Sequence, residues 1–145
     1  MKTKLIISAL SISLFICTSC NEKKHLIVGK NGKTIDTRLV GLWKGSESGK
    51  IFPGMSSEWK MIRNLDGTFS LEVKANLNGE FIEETEIGTW WIENGCFHEY
   101  HDVSGKVDIY KYEVLNKDQI KFITKKMSFD IVNENYEFID TKISN

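Results

Sequence analysis

Residues 59–91, WKMIRNLDGTFSLEVKANLNGEFIEETEIGTWW, decide how this chain folds. Within them Phe69, Leu71, Val73, Ala75 and Leu77 alternate with Ser70, Glu72, Lys74 and Asn76, a period of two held over nine residues. Side chains on a strand point to opposite faces in turn, so the alternation predicts a strand that is apolar on one face and wet on the other. Asp66-Gly67 precedes it and Asn78-Gly79 follows. Both dipeptides suit tight hairpin turns, because Gly, and less readily Asn or Asp, accepts positive φ. The stretch therefore reads as strand, turn, strand, turn, strand.

Registers follow from asking which pairing brings like faces together. A three-residue Leu65-Asp66-Gly67 loop sets Trp59 opposite Val73, Met61 opposite Leu71 and Arg63 opposite Phe69, with Lys60–Glu72 and Glu58–Lys74 as opposite charges outside. A two-residue turn would set Trp59 against Lys74 and Met61 against Glu72, and is rejected. Beyond it, two-residue turns at Asn78-Gly79 and Asn94-Gly95 pair Val73 with Glu84 and Trp90 with Glu99. One at Ser104-Gly105 pairs Phe97 with Tyr112 and Glu99 with Tyr110. A three-residue turn at Asn116–Asp118 then pairs Tyr112 with Phe122 and Val114 with Ile120. On these registers the interior holds Trp59, Trp90, Phe97, Tyr110, Tyr112 and Phe122 together with Arg63, Glu84, Glu86, Glu99 and His101. A bulge at Gly88 is the alternative, and it would turn Glu84 and Glu86 toward water.

Working outward, residues 39–45 read as a short strand, and Ser46, Ser48, Gly49 and Pro53 as a loop to about Met55. Residues 20–38 read as a polar tether, with one small ribbon around Leu26-Ile27-Val28 and Asp36 as the cap of a single helical turn. After the quoted stretch, Cys96–Asp102, Lys106–Leu115, Gln119–Lys125 and Tyr136–Ile143 complete the series. Turns every eight to twelve residues and no helical period beyond one turn give the fold class: all-β, an antiparallel up-and-down meander barrel of about eight to nine strands over residues 39–145.

The chain of 145 residues is close to charge balance, and no long basic or acidic block points to nucleic acid. Its start differs from the rest: Lys2 and Lys4 lead into an apolar run from Leu5 to Cys17, short for a membrane span and suited to a signal-peptide core. Cys17-Thr18-Ser19-Cys20 resembles the bacterial lipoprotein signal, in which small residues precede a Cys that is lipidated and becomes the new N-terminus. The resemblance implies a signal peptide over 1–19, lipidation of Cys20, membrane attachment through that anchor, and a place in the cell envelope, with Asn21 compatible with the outer membrane. An ordinary secretory signal is the alternative. Cleavage before Cys20 removes Lys2 and Lys4, so 19 basic residues become 17 against 20 acidic ones and the net charge moves from −1 to −3. Cys96 is then the one remaining thiol besides Cys20, and the domain holds together without an internal disulfide.

Gly41-x-Trp43 near the start of an all-strand chain resembles the first lipocalin motif, in which the Trp packs across the closed end of the barrel. Asp66-Gly67-Thr68-Phe69 and Gly88-Thr89-Trp90-Trp91 are similar to the small lipocalin-like domains of bacterial lipoproteins. The likeness spans about residues 38–140 and implies a binding barrel.

Inward carboxylates need cationic or hydroxyl partners or a wet lumen. A wet lumen lined by aromatic rings suits a binding barrel, although an eight-stranded barrel is equally able to fill itself with side chains. The residues expected to meet a ligand are Trp59, Arg63, Glu84, Trp90, Glu99, Tyr110 and Tyr112. His98 and His101 point to opposite faces of one strand; Cys96 and His98 share a face with no third zinc ligand, so neither metal nor cofactor is expected. No Ser-His-Asp order, phosphate-cradling Gly loop or paired-Cys motif argues for an enzyme. Trp91, Tyr100, Ile109 and Ile123 fall on the outer face, either as an apolar patch or beneath a covering segment. The expectation is a non-catalytic envelope lipoprotein that binds a small apolar or amphipathic ligand. The alternative is a protein-interaction module, such as an envelope inhibitor or immunity lipoprotein.

Overall fold

The structure is a computed structural model and describes residues 23–128 and 136–143. The expected signal peptide and the lipidation site Cys20 lie outside the described residues. Ten strands follow in order: β1 (Leu26–Val28), β2 (Thr34–Asp36), β3 (Gly41–Ser48), β4 (Met55–Arg63), β5 (Thr68–Leu77), β6 (Glu80–Glu93), β7 (Cys96–His101), β8 (Lys106–Asn116), β9 (Gln119–Lys126) and β10 (Glu137–Lys142). Strands β3 to β10 form a closed antiparallel up-and-down barrel, β10 returning to pair with β3. The β1–β2 ribbon stands outside it and reaches β6 through Thr34 opposite Ile92.

The quoted stretch folds as its alternation predicts. Trp59 pairs with Val73, Met61 with Leu71, Arg63 with Phe69, Lys60 with Glu72 and Glu58 with Lys74. Asn78 and Asn94 have φ of 52° and 51°, each followed by a positive-φ Gly, which is the backbone that two-residue hairpin turns require. Hence Val73 meets Glu84, Ile92 meets Phe97 and Trp90 meets Glu99.

Three local readings are corrected. The turn at Ser104-Gly105 is wider than expected: His101 pairs with Lys106, so Phe97 meets Tyr110 and Glu99 meets Asp108, two residues away from the expected register. Gly105 N–H closes this loop on the carbonyl of His101 at 2.8 Å. A shift of two keeps every side chain on its face, so Tyr110 stays inside and Asp108 comes in with it. On the other side of β8 the ladder with β9 has a register shift between Ile109 and Tyr110, and beyond it Tyr112 meets Phe122 and Val114 meets Ile120 as expected. Second, the Asn116–Asp118 turn is tighter, with Asn116 paired to Gln119 and an irregularity between Val114 and Asn116. Third, β3 runs on to Ser48, because Ser46, Glu47 and Ser48 pair with Glu58, Ser57 and Ser56 despite their loop-like composition.

Gly88 carries no bulge and lies between two partners, Phe69 on β5 and His101 on β7. A Cβ there would sit 1.9 Å from the Tyr100 carbonyl and 2.7 Å from the Phe69 ring, so only glycine lets the three backbones approach. At this point β6 passes from β5 to β7. Residues 80–87, with no pairing to β7, rise past it as one side of a β5–β6 arm.

The core sits at the end opposite that arm. Ile35, Leu39, Trp43, Trp90 and Ile120 are fully buried there, and Trp43 Nε1 donates to the Leu39 carbonyl at 2.9 Å. Asp36 caps the 3-10 turn Thr37–Leu39 through the Arg38 amide, pairs with the Arg38 guanidinium at 2.6 Å, and accepts from the Tyr112 hydroxyl at 2.9 Å. Packing thus reaches back into the segment read as tether, where Ile35 and Asp36 close the barrel's lower end.

Candidate functional site

The inward face that fills the closed end with rings leaves a cavity of about 430 Å³ at the other end. Its two walls differ in chemistry. Strands β4 and β5 present Met55, Met61, Leu71, Val73 and Ala75, an apolar surface that continues the alternation of the quoted stretch. Strands β6, β7 and β8 present Glu84, Glu86, Glu99, His101 and Asp108. Arg63 and Asp140 lie between these walls, and Trp59, Tyr136 and Phe138 complete the rim toward β10.

Buried charges persist only when paired, and the charged wall is paired through His101. Its Nδ1 meets Glu86 Oε2 at 2.6 Å, and its Nε2 lies 3.3 Å from Glu99 Oε1 and 3.4 Å from Asp108 Oδ2. Burial disfavours the imidazolium, yet Asp108, Glu99 and Glu86 together outweigh that and push the His101 pKa up to about 9. Burial pushes Glu99 up to about 7, against the pull of His101 and Arg63. Asp108 is buried too, but His101 and the Ser128 amide and hydroxyl hold its carboxyl below the usual range. Tyr110 donates to Asp108 at 3.4 Å, and burial raises its phenol well above the ordinary value.

Between the walls, Arg63 Nη2 pairs with Asp140 Oδ2 at 2.6 Å, both side chains almost fully buried. The guanidinium carbon lies 5.1 and 5.0 Å from the ring centres of Phe97 and Phe122. Its Nε and Nη1 find no acceptor among the described residues, so ring faces supply part of what hydrogen bonds would. Asp140 also accepts from Trp59 Nε1 at 2.8 Å, which fixes the indole at the cavity rim.

Of the residues read as ligand contacts, Trp59, Arg63, Glu84, Glu99 and Tyr110 line this cavity. Trp90 and Tyr112 do not. Trp90 is fully buried in the closed end and stacks on Phe97 at 5.8 Å, while the Tyr112 hydroxyl is committed to Asp36. Alternation tells which face a side chain takes but not its height along a tilted barrel strand, and both residues are too low. Glu84 lines the mouth from the exposed arm rather than from a buried position. Asp108 and Asp140 were missed as site residues. The signal for Asp108 was its parity with Tyr110; for Asp140 it was the register of β10 on β9, where Asp140 meets Ile120.

The outer face and the histidine strand also take definite form. Trp91 is covered by Lys33, whose Nζ sits 3.2 Å from the ring centre, and stacks on His98 at 5.2 Å. His98 Nδ1 meets the Cys96 carbonyl at 3.2 Å, and among the described residues no three His, Cys, Asp or Glu side chains are grouped to hold a metal ion. Compared with known proteins, the chain matches no protein-family model and no curated protein sequence.

Proposed function

We propose that this protein is a non-catalytic lipoprotein of the bacterial envelope, lipocalin-like in kind and anchored through Cys20, that binds a small apolar or amphipathic ligand at the barrel mouth. The observation that carries the reading is the cavity of about 430 Å³ with an apolar wall on β4 and β5 facing a charged wall on β6, β7 and β8. Its volume falls within the range of small-molecule sites, and its division suits a molecule with one apolar and one polar side. Trp59 and Tyr110 serve as aromatic wall, and Arg63, Glu84 and Glu99 as the polar contacts.

A second reading, a protein-interaction module, is favoured by the β5–β6 arm, where Phe81 is 82% and Ile87 57% exposed. One measurement separates the two. Native mass spectrometry of the intact protein, isolated from its host envelope, is expected to show a small-molecule adduct that disappears on denaturation and is lost in Leu71→Arg. A bare chain that instead retains a protein partner would replace the first reading by the second.

A further inference from the structure

The barrel is closed weakly at one seam. Among the described residues strand β10 pairs with β3 at Thr141–Lys44 and Lys142–Trp43, with Ile143 N–H donating to the Leu42 carbonyl at 2.9 Å just beyond, while residues 45–48 and 137–140 run on without pairing each other. Trp59 occupies the opening. Its indole crosses over Gly45, where a Cβ would lie 2.3 Å from the ring, and reaches Asp140 through Nε1 while its ring edge meets Phe138 at 5.3 Å. Trp59 and Phe138 are therefore a partition: they line the inner cavity on one side and, on the other, an outer groove of about 670 Å³.

The two compartments carry opposite charge. The inner cavity is lined by five carboxylates and three basic side chains; the groove is lined by five lysines and three glutamates. Lys74 and Lys121 are neutralised by Glu83 at 3.0 Å and Glu137 at 2.8 Å. Lys44 and Lys60 stand directly opposite each other on β3 and β4; Lys60 also faces Glu72 on β5, but among the described residues neither lysine comes within ion-pairing distance of a carboxylate. Like charges facing across a strand pair repel, and an anion between them removes that cost.

We propose that the seam is a second subsite, which holds the anionic headgroup of a single-tailed amphiphile between Lys44 and Lys60 while the tail passes beside Trp59 into the cavity. The proposal rests on the reading of that cavity as a ligand site. Carboxylates inside exclude an anionic head from the lumen, lysines outside attract it, and the apolar β4–β5 wall receives the tail. The ligand class is thus an acyl or alkyl chain bearing phosphate or carboxylate.

The test compares dodecyl phosphate, the uncharged 1-monolauroylglycerol and inorganic phosphate, by calorimetric titration of the intact protein. Lys44→Glu/Lys60→Glu is expected to weaken dodecyl phosphate by at least about tenfold, through loss of two charge-assisted contacts, and to leave monolauroylglycerol unchanged, which also reports an intact fold. Lys44→Gln/Lys60→Gln gives the same selectivity to a smaller degree. Equal effects on both amphiphiles, or inorganic phosphate binding as tightly as dodecyl phosphate, overturn the seam subsite and leave the cavity reading standing. Binding of neither amphiphile to the unaltered chain overturns both.

Discussion

At the closed end of the barrel the inward positions carry Trp43, Trp90 and Ile120, all fully buried, with Phe97 at 1% exposure beside them. At the mouth the same alternation carries Trp59, Glu84, Glu86 and Asp108, and a cavity stays open among them. One rule of side-chain direction produces both ends. What separates them is the size and charge of the inward residues level by level: rings that interlock leave no room, whereas carboxylates that must keep partners hold the walls apart. The polar layer of Arg63, Asp140, Glu99 and His101 is the boundary, charged like the mouth and nearly as buried as the closed end.

The sharpest way to break this comparison is to empty the closed end. Trp43→Ala removes a fully buried ring and its hydrogen bond, and is expected to cost about 3–5 kcal/mol in urea unfolding. A cost as small as that of a surface change would mean the closed end is not the packed half. Next is the boundary. Asp140→Ala strands the Arg63 cation and should cost about 3 kcal/mol, while Arg63→Met/Asp140→Leu, which removes both charges together, should stay within about 1 kcal/mol of the unaltered chain. If the double change is as damaging as the single one, the pair is not an isolated unit between floor and mouth.

The smallest effect is a pH dependence. Glu99 and His101 both bind protons more tightly folded than unfolded, so each stabilises the fold at low pH and less at high pH. The Glu99 contribution is complete below about 4.5 and is lost as pH rises through about 7; that of His101 is complete below about 6.5 and is lost through about 9. Asp108 runs the other way, contributing above its ordinary 3.8 and losing that contribution on acidification. Unfolding midpoints should therefore fall from pH 5 to pH 9. Glu99→Gln should flatten the lower part of that fall, by on the order of 1–2 kcal/mol, and spare the upper part. A slope unchanged in Glu99→Gln would place the proton uptake elsewhere.

Much of this architecture could be read from residue order. The loop at Leu65–Gly67 was legible because one register alone puts Trp59, Met61 and Arg63 opposite apolar partners and Lys60 opposite Glu72. The Ser104-Gly105 turn was not, since Ser-Gly marks a turn without fixing how many residues it takes, and Asp102 and Val103 belong to the loop. Height was illegible throughout. Trp90 and Tyr110 alternate alike, and only the tilt and stagger of a closed barrel put one under the floor and the other in the cavity wall. The cap at Asp36 was readable from local chemistry, but its bond to Tyr112, 76 residues away, was not.

The weak β3–β10 seam has a consequence for how the barrel forms. Apart from it and the single contact of β2 with β6, each pairing among the described strands joins neighbours along the chain, which can zip up hairpin by hairpin at low entropic cost. Joining β3 to β10 instead brings together the two ends of the barrel sequence for two residue pairs and the adjoining Ile143–Leu42 hydrogen bond. It is therefore expected to be the last pairing to form and the first to reverse, which amide hydrogen exchange would read as lower protection at Ile143 than along β4 and β5.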